Sequence, residues 1–416
     1  MVGRRSAAAR LGGLLSLAAI STLLGACSSA AAPTASASAS VPASVPASVP
    51  VPAAVPAAAL PSPAASPVAA PVVASAPAVS TAPLASVVVS AAAVSAAAVS
   101  SGTVPSVAAP SATTAAVTGV AYVDVSVATL WHSPSSPRAV DSAELQQPTG
   151  VTAWLSAMTT AQRLALNGRV DSQLVLGEKV VVDKRRGTWA HVVVPDQPTP
   201  LDARGYPGWI PAAQLTFRAP AAAANDLVVL APTAWAYATD GVTRVVQVSM
   251  ATRLPALTAD VKWVHSQLPD GRAVLLRAAD VDVVAKGAAP LPATAADVVR
   301  TAKLFLGLQY LWGGTSAFGF DCSGLTHLVF ELRGITIPRD ADAQARVGQA
   351  VAKADLQPGD LVFFASSGLV HHVGIYVGNN MMLSSLQTGS PVEYSSLSAQ
   401  PFASEYEGAR RLVPVT

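Results

Sequence analysis

The chain has 416 residues, of which 51% are apolar and 12% charged, with a formal net charge of +2. Three of its 26 basic residues, Arg4, Arg5 and Arg10, precede an apolar run, leaving 23 basic against 24 acidic residues beyond it. So balanced a body, with no basic patch, excludes nucleic-acid binding, and two cysteines, Cys27 and Cys322, exclude a disulfide framework.

At the N-terminus, Leu11 to Leu24 form an uncharged apolar run of 14 residues. That length suits a secretory signal and is too short for a membrane-spanning helix. Leu24-Gly25-Ala26-Cys27 follows and resembles the bacterial lipobox, in which the cysteine receives a diacylglyceryl group and the signal is cut just before it. The reading is a signal peptide over 1–26 and a lipid on Cys27, which places the chain on the cell membrane, facing the wall. An ordinary signal peptide with an incidental Cys27 is the alternative.

No charged residue occurs from Leu11 to Val123. Beyond Cys27 the chain is Ala, Ser, Val and Pro, with a Val-Pro-Ala-Ser repeat at Val41 to Ser48. Frequent Pro and Ser block helix and sheet alike, so 27–118 is predicted to be a disordered tether with a mean reach of roughly 50 Å. Val87 to Val99 is free of Pro, but its Ala and Ser content is too weak for a membrane span.

Charges return after Ala121, and with them short Val-rich runs punctuated by Gly, Asp and Pro, such as Lys179 to Asp183 and Trp189 to Val194. These predict two small all-β barrels, over 119–218 and 226–287. Gly187-Thr188-Trp189 followed by Gly205 to Pro211 resembles the bacterial SH3-like module of cell-wall proteins. Ala153 to Leu166 reads as a helical insertion in the first barrel. The second is supported by strand spacing and by Arg277-Ala278-Ala279-Asp280.

Ala289 to Pro292 is a hinge, and 290–416 reads as an α+β domain. Thr294 to Leu308 has helical periodicity with a capping Thr294 and Asp297 in the first turn. Cys322 to Arg333 reads as a second helix ended by Gly334, and Leu361 to Phe364 and His372 to Val377 as strands. A thiol in a helix's first turn faces the positive end of its dipole, which favours thiolate. It needs an imidazole as base and proton donor, which His371 or His372 supplies. A helix cysteine alone reads as a small hydrophobe, and a His-His pair alone as a loop feature or metal half-site.

Five motifs in order, Tyr310-Leu311-Trp312-Gly313-Gly314, Phe320-Asp321-Cys322-Ser323-Gly324, Ile337-Pro338-Arg339-Asp340, Leu356 to Phe364 and His372 to Tyr376, resemble the NlpC/P60 family of bacterial cell-wall cysteine peptidases. The resemblance implies a papain-like core in which Cys322 is the nucleophile and His372 the base, with no metal or cofactor. His371, one residue earlier on the strand, would point the other way. The family's third polar residue, usually His, lies twelve residues past the base. Here that position is Ser384, with Gln387 or Asn380 as possible substitutes.

The pairing with SH3-like modules, the segment Thr199 to Trp209 and the loop Trp312 to Cys322 are similar to γ-D-glutamyl-L-diamino-acid endopeptidases of peptidoglycan stem peptides. That resemblance implies a cleft partly covered by the SH3-like domain and fitted to a free N-terminal L-Ala. Tyr206 would line that end, or else pack on Trp209 as a loop aromatic. Asp321 and Ser323 would help bind the amine, and Trp312 and Asp340 would also contact substrate. The alternatives are a wall-remodelling hydrolase acting on intact peptidoglycan and an inactive wall-binding scaffold.

Overall fold

A computed structural model of the chain describes residues 118–414. The signal peptide, Cys27 and all of the expected tether but Thr118 lie outside the described residues. Among the described residues no helix is long and apolar enough to cross a membrane.

The first module is a seven-stranded antiparallel sheet: β1 (Gly119–Val123), β2 (Val127–Trp131), β3 (Val170–Val175), β4 (Lys179–Arg186), β5 (Trp189–Val194), β6 (Tyr206–Pro211) and β7 (Leu215–Thr216). The spatial order is β3-β2-β6-β5-β4-β1-β7. Period-two alternation builds it: in β4, Val180 and Val182 turn inward while Lys179 stays exposed, and a register shift between Val182 and Lys184 turns Lys184 and Arg186 outward in their turn. The inward set, including Leu130, Leu174, Val192 and Ile210, closes one core.

Between β2 and β3 lies the helical insertion, and it differs from the single helix expected over Ala153 to Leu166. A 3-10 turn (Ala139–Leu145) precedes two short helices, α1 (Val151–Ala157) and α2 (Thr160–Leu164). The break falls at Met158, which is extended, and Thr159, whose hydroxyl accepts from Gln162 N–H while Gln162 accepts from Thr159 N–H. This capping box starts a new helix rather than continuing the old one.

The second module has a five-stranded sheet, ordered Arg244–Ser249, Thr233–Tyr237, Ala273–Arg277, Trp263–Gln267 and Thr258–Ala259. A three-stranded sheet, Arg253–Ala256, Asn225–Val229 and Val281–Ala285, packs against it. Leu227, Val229, Ala236, Val264 and Leu276 lie between them.

The C-terminal domain opens with α3 (Ala295–Lys303), capped by Thr294, whose hydroxyl accepts from Asp297 N–H. It stops at Lys303, short of Leu308: the Leu304, Phe305 and Leu306 N–H groups bond three residues back in a tightened turn, which Gly307 at φ +86° then ends. Next comes α4 (Cys322–Glu331), which lays Leu325, Leu328 and Val329 on a six-stranded antiparallel sheet through Phe363, Val373, Ile375 and Leu383. The sheet order is Gln349–Val351, Tyr406–Arg411, Leu361–Ser366, Leu369–Gly378, Met381–Ser385 and Val392–Ser396. Two short helices, α5 (Ala341–Gln344) and α6 (Phe402–Glu405), flank it.

Edge strand β3 is not left open. Trp312 Nε1 donates to the Val170 carbonyl at 2.9 Å, Thr315 Oγ1 to the Gln173 carbonyl at 2.8 Å, and Arg339 Nε to Ser172 Oγ at 2.9 Å. Trp131, Trp154 and Leu166 pack with Leu311 and Trp312, adding apolar contact to the same junction. Covering an edge this way removes its exposed backbone groups and fixes the module on the C-terminal domain.

Candidate active site

Asp321 organises the loop that leads into Cys322. As N-cap of α4 it accepts from Gly324 N–H at 2.7 Å, and its other oxygen accepts from Gly313 N–H at 3.0 Å. Two glycines make this approach possible. Gly313 sits at φ +74° with Val170 only 2.5 Å from where a Cβ would stand, and a Cβ on Gly324 would fall on the Gly314 carbonyl oxygen. The Trp312 to Gly324 stretch is therefore locked both to the helix start and to β3.

Cys322, in the first turn of α4, is 9% exposed and opens into a cleft of about 990 Å³. Strand Leu369–Gly378 runs past it, and the Val373 and Ser323 N–H groups lie near enough to the sulfur to favour its charged form. His372 lies in the same cleft, one residue before Val373. Its Nε2 is 3.2 Å from Ser384 Oγ, and Ser384 is 1% exposed on the next strand. Phe364 and Phe402 flank the imidazole at centroid distances of 5.8 and 6.1 Å. The two other candidates for the third position are placed elsewhere. Asn380 lies in a turn, where its N–H donates to Tyr376 Oη and its amide to Ser398 Oγ, and Gln387 is exposed on the cleft wall.

The electrostatics differ from the thiolate expected at a helix start. Burial, and then the Asp321 carboxylate beside it, push the Cys322 thiol up to about 12, outweighing the two N–H groups. Burial, helped by His371, pushes His372 down to about 3. Each group taken alone thus favours its neutral form. His371 alternates away from His372, is exposed, and sets Nε2 3.3 Å from Glu405 Oε2.

Asp321 and Ser323 line the cleft but face a different partner from the substrate amine expected of them. Arg339, 1% exposed, donates to both Asp321 oxygens at 3.1 and 2.7 Å and to Ser323 Oγ at 3.0 Å. With Gly313 and Gly324 also donating, the Asp321 carboxylate has its acceptor sites filled. Trp312, half-buried, combines a place on the cleft wall with its bond to Val170.

Tyr206 does not rest on Trp209, which alternates to the other face of β6 and meets His191. It is 6% exposed, and its hydroxyl donates to Asp340 Oδ1 at 3.4 Å from across the junction. Burial and the Asp340 carboxylate push its phenol up, keeping it un-ionised. Burial also raises the Asp340 carboxyl, and that of Asp171, which lies 3.3 Å from His132 Nδ1. Asp171, His132 and Tyr310 belong to the cleft wall and were not foreseen as site residues. Tyr310 stood in a recognised motif, but Asp171 and His132 are drawn in only because β3 docks on the C-terminal domain.

Among the described residues no group of acidic, His and Cys side chains is arranged to hold a metal ion. A second cavity of about 540 Å³ at the junction of the three modules contains neither thiol nor imidazole, so the chemistry belongs to the cleft.

Comparison with known proteins agrees with this geometry. Residues 307–411 match the NlpC/P60 family and residues 229–283 the YKFC SH3b2 domain. Over 304 residues the chain is 41% identical to the γ-D-glutamyl-L-lysine dipeptidyl-peptidase of Bacillus cereus, covering 71% of this chain and 91% of that one. The Bacillus subtilis protein of the same name is 38% identical over 69% of this chain and 96% of its own length. A crystal structure of an NlpC/P60 family protein from Bacillus cereus superposes with a TM-score of 0.68 at 40% identity, over 71% of this chain and all of that one.

Proposed function

Because the chain belongs to the NlpC/P60 family of cysteine peptidases, we propose that it hydrolyses the D-Glu(γ)–diamino-acid bond of peptidoglycan stem peptides with a free N-terminal L-Ala. The observation that carries this reading is the Tyr206 to Asp340 hydrogen bond, which closes one end of the cleft between the first module and the catalytic domain. A third group, Asp171, lines that end. Two carboxylates and a phenol, with Asp321 already held by Arg339, make a pocket suited to an ammonium and closed to a glycan-linked chain.

The mechanism follows from the protonation states. With Nε2–H of His372 donating to Ser384 Oγ, Nδ1 keeps its lone pair and takes the proton from Cys322 Sγ. Sulfur attacks the γ-carbonyl carbon of D-Glu. The oxyanion is met by the Cys322 N–H, which has no partner within the helix, and by the un-ionised Tyr310 phenol. The imidazolium then protonates the departing amine of the diamino acid, leaving a thioester on Cys322. Water, deprotonated by His372, hydrolyses it and restores the thiol.

The test is incubation of the purified chain and Cys322→Ala with L-Ala-γ-D-Glu-L-Lys, its N-acetylated form, and whole sacculi. The expected result is cleavage of the free tripeptide alone, lost in Cys322→Ala. Cleavage of sacculi but not of the tripeptide would move the assignment to intact wall, and cleavage of neither to a scaffold.

The enzyme is placed on the outer face of the cell membrane, facing the wall, by a lipid on Cys27. The motif Leu24-Gly25-Ala26-Cys27 after an apolar run supports this. Detergent-phase partitioning that survives Cys27→Ser would rule it out.

A further inference from the structure

The amine pocket accounts for the acyl half of the substrate and leaves the opposite end of the cleft without a role. Resting on the endopeptidase reading above, we propose that Glu405 selects the departing diamino acid by pairing with the ammonium at the end of its side chain.

The direction of the leaving group is set by the base. His372 must hand its proton to the departing amine, so the diamino acid leaves on the His372 side. That side is built by α6, whose Phe402 ring lies tilted 6.1 Å from His372 and edge-on 5.0 Å from Phe364. Three residues after Phe402, on the same face of the helix, stands Glu405. Leu386, Gln387, Gln400 and Pro401 complete this end. Leu386 and Phe402 offer apolar surface to side-chain methylenes, and Glu405 is the carboxylate beyond them. Its side chain is 25% exposed and is steadied by His371 at 3.3 Å.

The charge of the whole cleft narrows the choice. Among the described residues lining it there is no lysine or arginine. Arg339 is buried in its pair with Asp321. An ammonium at the end of the diamino acid therefore meets a carboxylate, whereas a terminal carboxylate meets repulsion from Glu405, offset only by the neutral amides of Gln387 and Gln400 and by a His371 ring already set against Glu405. A diamino acid ending in an ammonium alone is preferred over one that also carries a terminal carboxylate.

The full purified chain is assayed on L-Ala-γ-D-Glu-X, with X as L-lysine, L-norleucine or meso-diaminopimelate. The expected wild-type preference for lysine over norleucine is about fivefold in kcat/KM, carried by KM, as for a partly exposed ion pair. Glu405→Gln collapses the lysine-to-norleucine ratio towards one, and Glu405→Lys inverts the order of lysine and diaminopimelate. Thermal unfolding of both variants reports whether they fold. Turnover with an unchanged ratio in folded Glu405→Gln overturns this inference alone. If the wild type cleaves none of the three peptides, the endopeptidase reading falls and takes the inference with it.

Discussion

The Tyr206 hydroxyl donates to Asp340 Oδ1 at 3.4 Å, joining the first β module to the loop that precedes α5. Tyr206 is otherwise part of the module's own core, with Ile210 and Val194. The residue that closes the cleft is thus held by the packing of a domain that contains no catalytic group. Discrimination at that end depends on how the module is seated, so a loose module would cost specificity before it cost chemistry.

Tyr206→Phe keeps the packing and removes the hydroxyl. The expected outcome is a fall of about tenfold in kcat/KM on the free tripeptide, the loss of one hydrogen bond to a charged group. The N-acetylated peptide, which offers no ammonium, gains relative to it. Steady-state kinetics on the two peptides checks this, and an unchanged ratio between them counts against the amine pocket. Asp171→Asn is expected to shift the ratio in the same direction.

Arg339 and Asp321 form a buried pair whose partners cannot be removed singly at low cost. Arg339→Met leaves the buried Asp321 carboxylate without its cation, held only by the Gly313 and Gly324 N–H groups and the Ser323 hydroxyl, with a destabilisation of about 3–5 kcal/mol. Adding Asp321→Asn to Arg339→Met is expected to recover part of that loss, since the stranded charge is gone. Denaturant unfolding of the wild type, the single variant and the double variant measures the coupling. Additive losses would mean that the two side chains stabilise the fold independently.

The proposed nucleophile and base, Cys322 and His372, stand out in the sequence because each sits in a short local string with its own chemistry, Asp321-Cys322-Ser323-Gly324 and His372 to Tyr376. The strand alternation that separates His371 from His372 was legible for the same reason. Arg339 stood in view inside Ile337 to Asp340, yet its claim on Asp321 arises from folding across 18 residues. Asp171 was hidden more deeply, since nothing near it in the chain marks chemistry and only the seating of β3 brings it to the cleft. The break at Met158 was missed because periodicity continues through it while the capping chemistry of Thr159 and Gln162 does not.

Glu144 gives a stability prediction with a definite sign. It is fully buried in the first module, accepts from Thr129 Oγ1 at 2.8 Å, and has an oxygen without a partner. Burial pushes its carboxyl from 4.5 up to about 8. Between those values the folded chain holds a proton that the unfolded chain has released, so stability falls as pH rises through that window. The slope is up to about 1.4 kcal/mol per pH unit. Glu144→Gln is expected to remove this share of the slope, leaving what the likewise raised carboxyls of Glu178 and Glu331 contribute, and to be the more stable form at pH 9. Chemical unfolding at pH 5, 7 and 9 decides the matter, and parallel curves for the two proteins would mean that Glu144 is ionised when folded.

Ser384 behind His372 makes the last prediction, and it concerns both rate and pH. In the proposed mechanism His372 is a neutral base, and burial pushes it down to about 3, so the acid limb of kcat/KM is expected to lie well below the 6.5 of an ordinary histidine. A hydroxyl at 3.2 Å fixes the ring without favouring its charged form. A charged orienting partner is worth about 10⁴ in rate elsewhere, and a neutral hydroxyl less, so Ser384→Ala is expected to lower kcat by roughly tenfold with KM unchanged. Ser384→Asp places a carboxylate against Nε2, which favours imidazolium and moves the acid limb to higher pH. Full pH–rate profiles of the wild type, Ser384→Ala and Ser384→Asp separate these effects. If Ser384→Ala keeps full kcat and Ser384→Asp leaves the acid limb in place, the residue that orients His372 is not Ser384.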